Sequence, residues 1–321
     1  MNKILSIKNV IRILVFILYT SYLILNTAKA DAAKVSLGIF PPIIKIETMP
    51  PASIDTPITV QNLGEETVEV KAVFKPFRAK DTENGEVEYS DDYPFIFQKM
   101  QILDGLKAVD TLTLAPSQEK TLTFHIGIPK DELARDYYFS IVFVSKEIAT
   151  TQGNNSNAVA GIGTNVLLSI EPKGKAKGLI EEFSAPFFLE KGPVPFTVRV
   201  KNDGENVIEP KGFILIKNVF GQTIGKVELL PVNILAGSIR AIPDSKLDAR
   251  RYTLNATKAF WEEKFLLGPY TATLTLSLSD QGPQLSRSIY FFAFPLQGII
   301  GLFVALILIL IIRNRIKKQL E

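Results

Sequence analysis

Ile58-Thr59-Val60-Gln61-Asn62-Leu63-Gly64-Glu65 returns 140 residues later as Val198-Arg199-Val200-Lys201-Asn202-Asp203-Gly204-Glu205, and Val68-Glu69 returns as Ile208-Glu209. Each copy alternates apolar and polar residues, meets Asn-x-Gly, and then resumes in extended form. That is the pattern of a strand, a tight turn and a second strand. Gly64 and Gly204 stand where such a turn calls for a positive φ, which glycine adopts without steric cost. A unit repeated once at this distance predicts two modules built on one plan.

Working outward, further signposts recur. Leu114-Ala115-Pro116-Ser117 precedes a strand as Leu235-Ala236-Gly237-Ser238 does, and Tyr138 heads the strand Phe139–Val144 as Tyr270 heads the one after Gly268-Pro269. Ile43–Glu47, Val68–Phe74, Thr121–Ile126 and Tyr270–Leu278 all keep a period of two. Such runs, bounded by Gly, Pro, Asn and Asp, are half-buried antiparallel strands. The expected fold is all-β: two tandem immunoglobulin-like β-sandwich domains, 31–173 and 174–288, joined across the Gly- and Lys-rich segment Glu171–Gly178. The size of each and the tyrosine at a strand head, suggestive of a tyrosine corner, fit that class.

The two ends of the chain carry location signals. Residues 1–30 hold Lys3, Lys8 and Arg12, an apolar run from Ile13 to Leu25, and the small-x-small site Ala28-Lys29-Ala30. That order predicts a cleaved secretory signal peptide. Ser288 to Ile312 is uncharged, and Arg313, Arg315, Lys317 and Lys318 follow it. About 20 apolar residues cross a bilayer core, and basic residues stay on the cytoplasmic side. The expectation is a transmembrane helix over 289–312 and a cytoplasmic basic tail over 313–321. The chain is then a single-pass plasma-membrane protein with an extracellular N-terminal ectodomain.

The net charge of +3 comes from these ends, which hold +4 in residues 1–30 and +3 in 313–321, leaving −4 for 31–312. An ectodomain of that balance, with no basic stripe, does not suit nucleic acid. The chain has no cysteine. Thiolate chemistry, thiolate zinc sites and disulfides are thereby excluded, and the ectodomain must hold together by packing.

Ile39-Phe40-Pro41-Pro42, Val60-Gln61-Asn62, Leu112-Thr113-Leu114-Ala115-Pro116, and Ile128-Pro129 followed by Tyr137-Tyr138 resemble the first module of the WxL protein-interacting family. Gly192-Pro193-Val194-Pro195-Phe196, Lys211-Gly212 and Gly268-Pro269-Tyr270 resemble its second. The resemblance implies a bacterial cell-surface protein with two sandwich modules and a C-terminal membrane helix. It also implies peptidoglycan as partner of the first module and host or partner proteins for the second. Where the family pattern has a glycine before the tyrosine strand, this chain has Arg135-Asp136.

Candidate chemistry is sparse. His125 is the single histidine, and alternation sets it opposite Phe124 and Ile126 on an exposed face. A Ser-His-Asp set would have to rest on it alone. No Gly-x-Ser-x-Gly elbow is present. Asp81, Glu83, Glu86, Glu88, Asp91 and Asp92 crowd one loop. Their oxygens suit calcium, but the spacing fits no EF-hand, so a solvated loop is expected. Phe95 and Phe97 share a strand parity, which points both at the core rather than at a sugar or a partner. Trp261 is expected to pack, at the base of module two or toward the membrane. Gly161-Ile162-Gly163 lacks the context of a nucleotide loop. Asn154-Asn155-Ser156 and Asn255-Ala256-Thr257 fit a glycosylation pattern that means little in a bacterial protein. No catalytic, cofactor or metal residue is therefore assigned. The expected function is non-enzymatic binding of cell wall or other surface proteins; the alternative is a tethered immunoglobulin-like chaperone or assembly factor for exported proteins.

Overall fold

The computed structural model describes Phe16 and residues 35–149, 158–246, 257–280 and 282–320. The remainder of the expected signal segment, Asn154-Asn155-Ser156 and Asn255-Ala256 lie outside the described residues. Module one contains β1 (Leu37–Phe40), β2 (Ile43–Thr48), β3 (Ala52–Asn62), β4 (Val68–Ala79), β5 (Val87–Tyr89), β6 (Met100–Asp104), β7 (Lys107–Ala108), β8 (Thr111–Leu114), β9 (Glu119–Ile128), β10 (Asp136–Ala149) and β11 (Ala158–Ile170). Module two contains β12 (Gly178–Ser184), β13 (Phe188–Leu189), β14 (Val194–Asn202), β15 (Lys211–Asn218), β16 (Thr223–Glu228), β17 (Ile239–Ala241), β18 (Lys258–Trp261), β19 (Gly268–Ser277) and β20 (Gln284–Ala293). A helix, α1 (Leu296–Leu320), follows.

Alternation builds each strand. In β9, Leu122, Phe124, Ile126 and Ile128 are buried while the residues between them are not, and in β14 Val194, Phe196, Val198, Val200 and Asn202 are buried in the same way. Burial of such a side chain contributes about 1.5–3 kcal/mol. Two large separate cores result. One gathers Phe124, Phe139, Phe143 and Leu168, and the other Phe196, Leu274, Phe291 and Trp261.

Both modules pack two sheets in immunoglobulin order. Module one pairs β1-β3-β9-β6-β7 against β2-β11-β10-β4-β5, with β8 also on β4. Module two pairs β12-β14, flanked by β17 and β18, against β13-β20-β19-β15-β16. In each, the first strand splits between sheets and its second part runs parallel to the last strand, β2 along β11 and β13 along β20. The expected all-β, immunoglobulin-like class is the observed one.

The boundary expected at 288/289 is corrected. Residues 284–293 form β20, paired along its length with β19, and α1 begins only at Leu296, just past Pro295. The uncharged run joined an apolar strand to an apolar helix, and charge alone could not separate them. Phe291 and Ala293 face the core while Tyr290 and Phe292 do not, a period of two that belongs to a sheet. The helix is long and apolar enough to cross a membrane.

Candidate functional site at the module junction

The repeated Asn-x-Gly turn is the seed of the site. Asn62 and Asn202 are fully buried. Gly64 N–H donates to Asn62 Oδ1 and Gly204 N–H to Asn202 Oδ1, each at 2.9 Å. Neither glycine has a positive φ, so that expectation is corrected. The side chain of the asparagine closes the turn, and at Gly204 an added Cβ would lie 3.1 Å from Asn202 Oδ1. Asn62 Nδ2 donates to the carbonyls of Glu66, Leu114 and Ala115, and Asn202 Nδ2 to those of Asn206 and Ile234. Each asparagine thus ties its turn to a segment across the module, Asn62 to the end of β8 and Asn202 to Ile234.

Asn202 also sets the position of Asn206, where the modules meet. Asn206 Nδ2 donates to Asp136 Oδ1 at 2.8 Å, and Val207 N–H to Asp136 Oδ2 at 2.5 Å. Tyr138 O–H donates to the same carboxylate at 2.8 Å. Asn206 Oδ1 accepts the N–H of Gly174 in the connecting segment at 2.9 Å. Asp136 is the junction residue that sequence reasoning passed over.

A small apolar cluster seals the contact: Phe77 and Leu167 of module one against Leu235 and Val207 of module two, with Phe77 stacked on Tyr138 at 6.3 Å. Burial, with Asp136 beside it, holds the Tyr138 phenol well above its ordinary range. Tyr138 was expected to match Tyr270, but the core partner in module one is its neighbour Tyr137, which is buried. Tyr270 does form a tyrosine corner: its hydroxyl accepts from Leu267 N–H at 2.8 Å and donates to Leu267 O at 3.2 Å.

The acidic loop is not solvated throughout, as expected, but docks on module two. Glu83 O accepts the N–H of Ala241 at 2.9 Å, and the Glu83 carboxylate pairs with Arg199. Gly85 has φ +81° and lies against Arg240, whose guanidinium an added Cβ would meet at 2.4 Å. Burial lowers the pKa of Arg240. Glu86 pairs with Lys80 at 2.8 Å and Glu88 with Arg78 at 2.9 Å. Hydrogen bonds from Lys80 and Asn84 hold the Glu86 carboxyl below its usual range. Among the described residues, no three His, Asp or Glu gather as ligands for a metal ion.

His125 is not the free, exposed residue expected. Its side chain is 27% exposed and its Nδ1 lies 2.6 Å from Asp55 Oδ1 on the neighbouring strand. Phe95 and Phe97 do not share a face, because Phe95–Lys99 is a 3-10 helix. Phe95 is exposed, while Phe97 packs on Phe139 at 5.2 Å. Trp261 is a core residue, as expected, edge-on to Tyr270 at 5.8 Å. Gly161-Ile162-Gly163 lies in β11, opposite Val142–Val144 of β10.

The junction leaves open clefts beside the sealed cluster. One of about 920 Å3 is bordered by Arg78, Asp92, Leu133, Asp136 and Glu205. Another, of about 310 Å3, lies between Lys45, Lys173, Glu209 and Asp280. These contacts tie the two sandwiches together at the junction.

No family model matches the chain, and no curated protein matches it. Among solved structures it is similar to the class 5 fimbriae chaperone CfaA, with a TM-score of 0.38 and 12% identity over 81% of this chain and 100% of that one. It is also similar to the E. coli chaperone DraB, with a TM-score of 0.35 and 12% identity over 79% and 96% of the two chains. A third similar structure is a chain of the CsuC-CsuE chaperone-tip adhesion subunit complex of Acinetobacter baumannii, with a TM-score of 0.33 and 10% identity over 66% and 91%. The immunoglobulin-like assignment stands on the strand order itself.

Proposed function

We propose that this chain is a non-enzymatic, membrane-anchored bacterial surface protein that holds two sandwiches outside the membrane as one body and binds cell-wall polymer or other surface proteins. One observation carries the reading: the modules are latched at Asp136 and by the Glu83 hairpin, and α1 follows β20 after only Phe294 and Pro295. A latched pair on a short tether presents sandwich faces at a fixed height and orientation. The likeness to the WxL protein-interacting family belongs to this proposal and favours peptidoglycan for module one. His125 and Asp55 do not argue for catalysis, since among the described residues no hydroxyl bonds the ring to complete a triad.

The test has two arms. Because the chain has no cysteine, Leu106→Cys should react with a membrane-impermeant maleimide on intact cells, and Gln319→Cys only after lysis. The purified ectodomain should co-sediment with peptidoglycan or cross-link to a defined surface protein, and His125→Ala should leave that binding intact. Labelling of Gln319→Cys on intact cells would reverse the topology, and loss of binding in a folded His125→Ala would reopen catalysis.

A second reading, an immunoglobulin-like chaperone or assembly factor for exported proteins, is favoured by an open edge. β2 pairs only with Asn165–Ile170 of β11, so residues 158–164 have no outer strand among those described. A client strand could add there. Successive N–H groups in a strand point to opposite sides, so either Ala160→Pro or Gly161→Pro removes an outward donor. Abolition of client binding by one of the pair would establish this reading.

A further inference from the structure

The sheet register brings several exposed apolar residues to one end of module two. Asn218 lies opposite Tyr270, Gly268 opposite Ala293, and Phe188 opposite Phe292. The β15–β16 turn, the segment before β19 and the residues around β13 therefore share the end of the sheet at which β20 finishes. Phe220 is 82% exposed, Phe187 76%, Phe265 67% and Val219 65%, with Leu267 and Phe188 also exposed. The opposite end of the same sheet is polar, where Ser277 meets Gln284 and Lys211 pairs with Asp280.

Exposed aromatics in that number, gathered at one end, mark a surface that something covers. The chain itself identifies the occupant. Leu296, the first residue of the apolar helix, is three residues beyond Ala293. At ~3.5 Å per residue the end of β20 stands no more than about 10 Å from the start of that helix. If the helix spans the bilayer, this end of the sandwich rests on the lipid surface. Lys191, Lys217 and Lys264 are matched there by Glu190, Glu262 and Glu263, so the rim carries no net charge to repel or select headgroups.

We propose that the rim formed by the Val219-Phe220 turn, the Phe265–Leu267 segment and Phe187-Phe188 inserts into the interfacial layer of the bilayer. Module two then lies seated on the membrane rather than swinging from it. Apolar groups of this kind settle about 5–10 Å into the boundary between headgroups and acyl chains. The inference rests on the membrane-span reading of α1.

The test places tryptophan in the full chain in phosphatidylcholine nanodiscs made with lipids brominated near the headgroup end or near the chain end. Wild type supplies the background from Trp261, which is buried. Phe220→Trp and Phe265→Trp should lose about half or more of their emission with the shallow bromine, the depth expected for an interfacial side chain. Leu106→Trp, in a fully exposed turn of module one, should lose none. Phe303→Trp, within α1, should be quenched by the deep bromine. Quenching of Phe303→Trp without any at positions 220 and 265 would overturn the seating while keeping the anchor. An unquenched Phe303→Trp would instead overturn the anchor reading, and the seating with it. Two chains per disc, reduced to one by Phe220→Asp with Phe265→Asp, would assign the rim to a second copy and overturn the lipid proposal.

Discussion

The two modules share a plan but not its edges. Module one fills the place beside β3 with β9, ten unbroken residues, and covers the outer side of β9 with β6. Module two fills the same place beside β14 with β17 and β18, three and four residues long, on either side of 242–257. No counterpart of β6 covers β17 among the described residues. An uncovered edge leaves N–H groups without partners. Here Ala241 N–H bonds Glu83 O of the other module. The strand missing from module two is thus where module one attaches. A tandem repeat becomes a single body when one copy leaves an edge for the other to complete.

The comparison is broken most forcefully in the cores. Phe139 has no exposure and touches the rings of Phe74, Phe97 and Phe124. Phe139→Ala should cost about 3–5 kcal/mol, and Trp261→Ala a similar amount. Trp261 is the single tryptophan, so its emission reports on module two alone. In Phe139→Ala, circular dichroism should show an early loss of strand signal while the Trp261 transition moves little. A shift of both together would mean that the junction couples the cores into one unfolding unit.

Asn202→Ala and Asn62→Ala sharpen the comparison at the turns. Each removes the hydrogen bonds that a buried asparagine makes to its turn and across the module, and should cost about 2–3 kcal/mol in denaturant melts. Only Asn202→Ala should also loosen the junction, because only Asn202 holds Asn206. Spin labels on introduced cysteines, one per module, should show a broader distance distribution in Asn202→Ala and in Asp136→Ala. Asn62→Ala should keep the narrow one. Equal broadening in all three would separate the latch from the Asn202 turn.

The smallest effect is a slope with pH. The Tyr138 phenol is raised above its ordinary value near 10 by burial and by Asp136. A raised folded pKa means the folded state keeps a proton that the unfolded state loses, so this stabilisation is complete below pH 10 and declines as pH rises further. Denaturation midpoints of the ectodomain should fall above pH 10, and Tyr138→Phe should flatten part of that fall. An identical slope in the variant would mean that Tyr138 is not the group responsible.

The sandwich class was legible because a half-buried strand writes its environment into a local period of two, as in Thr121–Ile126 and Tyr270–Leu278. The 140-residue repeat was legible because the same buried asparagine closes the same turn twice. Phe95 and Phe97 misled because a short 3-10 turn and a short strand look alike when apolar residues are two apart. The start of the helix was misplaced because the end of β20, from Ser288 on, is as free of charge as the first turns of the helix it precedes.

The sequence by itself determined the all-β class, the two modules and an apolar C-terminal segment, since each of these is a matter of neighbours along the chain. Only the tertiary structure decided what Asp136, Glu83 and Arg240 do. Their partners in the other module stand 70 residues or more away, and no local pattern of charge or hydropathy records which distant backbone N–H an edge has left unpaired.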